Sequence, residues 1–449
     1  MRKFFKIQSI FSFSAILLSG SLLAAPTQTQ VDSLIRSMGS PSASQRAEAE
    51  KALLELGPEA LPFLPESARS PEVRMRLNRV RMALERQTAE NSLEAGIVSL
   101  PKTCPVGQIP EKVARQTQNA LEFSLPEDAT FTAAAQTPFW EFLDAFCDQF
   151  HLAPQTLPGK RGLKLVPTLR KTSRSASQNA RVAYLKPFRL EPLKITSSIL
   201  FGNDVPGTLL QLELAWEPRI TPVFAYLKLR EADFFDAEGQ PLESSLKLPA
   251  NEHEILIGQN EFRALCELPL PGASIPAGAH SMTLRGTLSA VACGTKKDFI
   301  FEDLPSKLDH EFPPVSERTA AVLVTLTGLR SETLQRKPNS TEAAASAETE
   351  RFLVATLRYR YEESHEAMES HRTWIYENDA ALRKPDGTSL ASERSELLRQ
   401  TPNEIAADLY FRLEGAEIPD LTGWKLIFPR PGGIYEVEYP FEIQAITIP

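Results

Sequence analysis

The sequence predicts a multidomain chain in which an α-helical N-terminal piece and a small α+β domain precede two tandem all-β sandwiches. Three observations carry that prediction. Apolar residues recur at helical spacing up to about residue 92 and alternate from about residue 182, with a mixed stretch between. At 449 residues the chain is too long for one ordinary domain. Its second half contains two similar runs of strands about 143 positions apart. Hydrophobic residues at 42% and charged residues at 24% are those of a globular protein, which excludes wholesale disorder. The 35 prolines exceed the ~5% of ordinary chains without a rise in glycine, so they mark element ends and edge strands, not a collagen-like repeat. A net charge of −8 offers no basic surface to nucleic acid.

Residues 1–25 read as a secretory signal peptide. Arg2, Lys3 and Lys6 form a basic start, an apolar stretch runs from Ile7 to Leu23, and Ala24-Ala25 supplies the small-residue cleavage site. An N-terminal anchor helix is the alternative, weakened by Ser9, Ser12, Ser14 and Ser19-Gly20-Ser21 in a stretch short for a bilayer. Cleavage would remove three positive charges and take the net charge from −8 to −11. No later segment is apolar enough for a transmembrane span, so a periplasmic or secreted chain is expected.

Residues 26–93 are expected to be helical over Val31–Met38, Ala43–Leu56, Ala60–Ala68 and Pro71–Gln87. Ser40-Pro41, Gly57-Pro58 and Ser70-Pro71 supply cap and first-turn chemistry between them. The run Ser42–Arg46 followed by Ala47, Ala49, Ala52, Leu53-Leu54 and Leu56-Gly57 resembles a HEAT-like helical repeat, as does Glu59–Leu64 ahead of Ser70–Arg74. The resemblance covers about one and a half repeats. Stacked repeats need at least about three to stand alone, so this piece must lean on a neighbour or a partner.

Residues 94–170 carry strand-like Ala95–Leu100, Leu121–Leu125, Thr130–Ala134 and Leu163–Val166, and helical Ile109–Gln118 and Pro138–Phe150. That order is β-α-β-β-α-β, expected to form a small sheet with two helices on one face. Trp140, Leu143, Cys147 and Phe150 fall on one helical face and read as core. Val106–Thr117, Leu121–Phe123 and Thr137–Phe150 together resemble the short N-terminal (STN-like) domain of secretins and TonB-dependent transducers. The resemblance implies an α+β fold and a bias towards protein contact, partly by strand pairing. No barrel or secretin ring follows, so a transport role is not implied.

Residues 171–182 are polar and read as a linker. Beyond them, 183–306 and 307–449 are expected to form two Ig-like β-sandwiches, preferred over one large barrel, with a mobile insertion at about 335–350. Alternation is clear in Leu210–Leu214 and Leu357–Tyr361. Gly272–Pro276 reappears as Gly415–Pro419, and Leu210, Leu214 and Trp216 fall on Leu353, Leu357 and Tyr359 at the same offset. Glu238–Leu242 parallels Asp386–Leu390, and Phe301-Glu302 parallels Phe441-Glu442. The acid-Gly turns are natural hairpin tips.

Chemistry-bearing motifs are sparse. In an oxidising compartment Cys104, Cys147, Cys266 and Cys293 allow two disulfides, with Cys104–Cys147 and Cys266–Cys293 each inside one proposed domain; four buried thiols are the alternative. No CxxC, nucleophile elbow or Walker loop is present. A weak metal candidate joins His365, Glu369 and His371. The second His lies six residues on, which puts it on another side of a helix, so only an irregular loop could gather the three. Trp216, Tyr226, Tyr359, Tyr361 and Trp374 could line a sugar-binding face, although sandwich cores use such residues routinely. The expectation is an exported, non-enzymatic protein of a bacterial envelope, without cofactor, whose business is protein–protein contact or scaffolding with an envelope partner. Carbohydrate or surface-polymer binding is the alternative, and a hydrolase with an unrecognised site is third.

Overall fold

Three helices open the described residues: α1 (Gln28–Met38), α2 (Ala43–Glu55) and α3 (Pro71–Ser92), with a 3-10 turn at Pro58–Phe63. They are described in a computed structural model covering residues 26–448, except 66–67, 127, 158–161, 169–180, 200–205, 221, 249–250, 259–260, 272–274, 294–295, 320, 336–348, 363–379 and 415–417. The expected signal peptide, most of the linker and most of the 335–350 insertion lie outside the described residues. So do the Gly272 and Gly415 ends of one repeat match. The chain divides into two compact units, residues up to Val80 and residues from Arg81 onward.

In the first unit, Thr27 caps α1 by accepting from the Gln30 amide at 3.3 Å. Gly57, at φ +77°, turns the chain into the 3-10 segment through the left-handed region that favours glycine. Val31, Met38, Leu53, Leu64, Val73 and Leu77 are buried, the stripe expected from helical spacing. Arg76 of α3 reaches Glu50 of α2 at 2.6 Å, and Glu72 reaches Arg46 at 2.8 Å.

The second unit begins with the α+β part: β1 (Ile97–Val98), β2 (Thr103–Pro105), α4 (Ile109–Thr117), β3 (Ala120–Glu122), β4 (Thr130–Thr132), β5 (Thr137–Pro138), α5 (Phe139–Phe150), β6 (Leu152–Thr156) and β7 (Gly162–Pro167). Both helices stand where the periodicity puts them, and each ends on a left-handed residue, Gln118 and His151. Among the described residues, the single small sheet expected from the sequence is instead three: β1 with β5, β2 with β4, and β3-β7-β6, whose β3/β7 pair is parallel. Pro101, Pro105, Pro126 and Pro138 fall between or at the ends of strands two or three residues long, and proline cannot donate to a ladder. Phe131 meets Phe142 and Phe146 edge-on at 5.6 and 5.2 Å in the shared core.

The rest is β. The first run is β8 (Ala183–Leu185), β9 (Phe188–Ile199), β10 (Pro206–Trp216), β11 (Pro222–Phe235), β12 (Pro241–Lys247), β13 (Glu252–Ile255), β14 (Arg263–Pro271), β15 (Ser281–Cys293) and β16 (Lys296–Phe301). The second is β17 (Val315–Arg318), β18 (Val322–Gln335), β19 (Thr349–Tyr361), β20 (Ala381–Arg383), β21 (Ser389–Ala391), β22 (Arg394–Thr401), β23 (Glu404–Leu413), β24 (Lys425–Pro431) and β25 (Ile434–Thr447). Four sheets result. The sheets β14-β10-β9-β8 and β12-β11-β15-β25 enclose one core, with β13 also on β11. The sheets β17-β18-β19-β23-β22 and β16-β24-β20-β21 enclose another.

The duplication read from the sequence reappears as topology. β12-β11-β15 corresponds to β21-β20-β24, and β14-β10-β9-β8 to β23-β19-β18-β17. The two acid-Gly turns join corresponding strands, with Gly239 at φ +77° and Gly387 at φ +88°. Leu210, Leu214 and Trp216 are buried in the first core, and Leu353, Leu357 and Tyr359 in the second.

The division expected at residue 306 does not follow the hydrogen bonding. β16 belongs to the first run by sequence but pairs with β24; β25 belongs to the second but pairs with β15. Each run therefore donates its last strand to the other. Cys293 lies opposite Ile434 and Lys296 opposite Pro431, three residues further along each strand, so one antiparallel register carries through both pairings. β25 brings Tyr439, Phe441, Ile443 and Ile446 into the first core, and β16 brings Phe299 and Phe301 into the second. Arg285 of β15 holds Glu442 of β25 at 2.7 Å and also pairs with Asp233 of β11.

Candidate functional site

The residues singled out in the sequence fare unevenly. His365, Glu369, His371 and Trp374 lie outside the described residues. Among the described residues, no group of three or more His, Cys, Asp or Glu is placed to hold a metal ion. The expected disulfides are not formed: Cys104, Cys147 and Cys266 are buried thiols, and the side chain of Cys293 is outside the described residues. Cys104 and Cys147 nevertheless share the α+β core. Burial, reinforced by neighbouring Glu267, pushes the Cys266 thiol up to about 11. Trp216, Tyr359 and Tyr361 are each at most 3% exposed, and Tyr226 packs against the second core. Four of the five aromatics that a sugar-binding face would need are thus core or core-packed.

Polar chemistry concentrates instead where the α+β part meets the first β run. Glu217 follows β10 and is fully buried. Its carboxylate accepts from the Gly96 amide at 2.8 Å, from Asn119 Nδ2 at 2.8 Å and from Arg219 Nε at 2.7 Å. Arg219 in turn donates to the carbonyls of Ser92, at 2.6 Å, and Glu94. Gly96 has to be glycine: a Cβ there would sit 2.9 Å from both Glu217 and Thr117.

A second node lies beside it. Arg189, 5% exposed, donates to Asp144 of α5 at 2.8 Å and to Glu191 at 2.5 Å, while the Tyr184 hydroxyl also donates to Asp144. Those carboxylates hold the guanidinium charged well above its usual range despite burial. Trp140 donates its indole N–H to the Pro187 carbonyl at 2.9 Å and stacks on Phe262. The sequence reading placed Trp140 in the α+β core but missed these nodes. A Glu-Pro-Arg run directly after a core strand was the one local signal; Asn119 and Gly96 stand about a hundred residues away in sequence.

The accessible feature is the outer face and edge of β17-β18-β19-β23-β22. Arg394 of β22 lies over the Tyr410 ring at 3.7 Å, and Arg412 over Phe352 at 5.8 Å. Burial raises the Tyr410 hydroxyl, and its bond to Glu396 Oε2 at 3.0 Å adds to that. Asp408 accepts from Arg330 at 2.8 Å and from Thr356 at 2.6 Å. β22 closes the sheet on one side, and residues 394–399 are exposed along their length, with Leu398 52% exposed. Such an edge presents backbone donors and acceptors to another strand.

Comparison with known proteins finds no matching family model, no matching curated protein and no matching solved structure. No described helix is long and apolar enough to cross a membrane.

Proposed function

We propose that the chain is an exported, non-enzymatic scaffolding protein of a bacterial envelope that works through protein–protein contact. The supporting observation is the exposed edge strand β22, carried on a frame made stiff by strand exchange and by the Glu217 and Arg189 nodes. In this reading α1–α3 serve as a HEAT-like cap, β1–β7 with α4 and α5 as an STN-like adaptor, and the β units as Ig-like sandwiches. Of the two edges of the adaptor's β3-β7-β6 sheet, β6 contains Pro154, which lacks an amide donor, and β3 is only three residues long, so strand addition is assigned to β22 and not to the adaptor. A carbohydrate-binding role loses support because its candidate aromatics are largely spent on the cores.

The test is affinity capture from a native envelope fraction with the mature chain and with Leu398→Pro, which puts a proline into the edge strand. The expected result is a defined protein partner retained by the first and lost by the second. Retention on a glycan array with no protein partner would sink the proposal.

A further inference from the structure

Resting on that scaffold reading, we infer that β22 pairs with β22 of a second copy, antiparallel across a two-fold axis, and so makes the protein a homodimer. The argument lies in the sequence Arg394-Ser-Glu-Leu-Leu-Arg-Gln-Thr401 and in the register that sets its faces. On β23, Ile405, Leu409, Phe411 and Leu413 point into the second core, so the alternate residues Ala406, Asp408 and Tyr410 lie on the outer face. Arg394 stands opposite Tyr410, Glu396 opposite Asp408, Arg399 opposite Ala406 and Thr401 opposite Glu404. These four therefore share the outer face, whereas Ser395, opposite Leu409, and Gln400, opposite Ile405, share the inner one.

The bulge between Leu397 and Arg399 makes this possible. In a regular strand Glu396 and Arg399 would point to opposite faces. With the extra residue they point the same way, and an axis centred between Leu397 and Leu398 sets Glu396 against Arg399 of the other copy, twice. The same axis sets Arg394 against Thr401 and Ser395 against Gln400, each pair on a common face. Leu397 and Leu398, 41% and 52% exposed, meet at the centre. The strand is thus complementary to itself in charge and in facing, where a bulge elsewhere would only blunt an edge. Tyr410 further holds Glu396 through its hydroxyl and Arg394 through its ring, so these two side chains are already ordered on the outer face.

Sedimentation velocity of the mature chain, E396R, R399E and an equimolar mixture of the two tests this from about 1 to 200 μM. The wild type should dimerise. Each single variant sets two like-charge pairs across the axis and should weaken the dimer by at least about 100-fold. The mixture restores opposite charges at every contact and should form a heterodimer. Circular dichroism and urea midpoints matching the wild type show that the variants fold. A wild type monomeric throughout the range, single variants as dimeric as wild type, or a mixture that stays monomeric would each overturn the inference. A monomeric wild type that still captures a partner through β22, lost in Leu398→Pro, would overturn self-pairing while leaving the scaffold reading standing.

Discussion

Ile443→Ala probes the exchanged strand directly. Ile443 lies in the last strand of the chain, stands opposite Leu284 and is fully buried in the first core. Truncating a buried Ile to Ala costs about 2–5 kcal/mol, through lost transfer energy and the cavity left behind. For a unit of this size that corresponds to a fall in melting temperature of roughly 3–6 °C. The tryptophans supply reporters on both sides: Trp216 is buried in the first core and Trp424 in the second. Two single-tryptophan proteins, each retaining one of these and carrying Phe at the other three positions, would be unfolded in urea with and without Ile443→Ala. The transition seen by Trp216 should move to lower urea, although the substitution lies more than two hundred residues downstream. A Trp216 midpoint that stays put while the Trp424 midpoint moves would refute the exchange, because Ile443 would then belong to the second core alone.

Three further outcomes follow from the same structure. Phe299→Ala, in the core formed mainly by the second run although it precedes residue 306, should cost about 3–5 kcal/mol and shift the Trp424 transition in the same urea assay. Glu217→Ala, which leaves Arg219 and Asn119 without their buried acceptor, should cost about 3–5 kcal/mol by calorimetry; a loss under 1 kcal/mol would show that the node is not a joint. Burial raises the Glu85 carboxyl against the pull of Lys297 and Arg81, so the native state holds that proton more tightly than the unfolded chain. Stability should therefore fall as pH rises from the ordinary Glu range through the raised value, and Glu85→Gln should raise the melting temperature above that window and not below it.

The helices and most strands were legible because periodicity reports which face is buried, and both helical spacing and alternation are strong here. The duplication was legible too, since Leu210, Leu214 and Trp216 and their counterparts at Leu353, Leu357 and Tyr359 occupy matching core positions. The exchange was not legible, for a reason rooted in that duplication. Alternation settles the face of Phe441 or Phe299 but not the strand beside it. With two similar runs in one chain, β15 and β24 are comparable partners for either last strand. The two-residue gaps after Cys293 and Pro431 read naturally as hairpin turns, whereas the observed register carries both strands onward. The Glu217 node was hidden differently: its partners come from segments that share no local pattern with it. The disulfide expectation rested on even count and compartment, and the buried thiols show that shared burial does not by itself make a bridge.

Zero-length carbodiimide cross-linking of the unmodified protein, read by peptide mass spectrometry, tests the exchange most directly. Lys425 lies 2.5 Å from Glu302, and Lys228 lies 4.0 Å from Glu438, each pair joining residues from different runs. Lys228 and Glu252, 2.9 Å apart within the first run, serve as the positive control. Strand exchange requires both the Lys425–Glu302 and the Lys228–Glu438 links. Recovery of the control link with neither of the other two would contradict it.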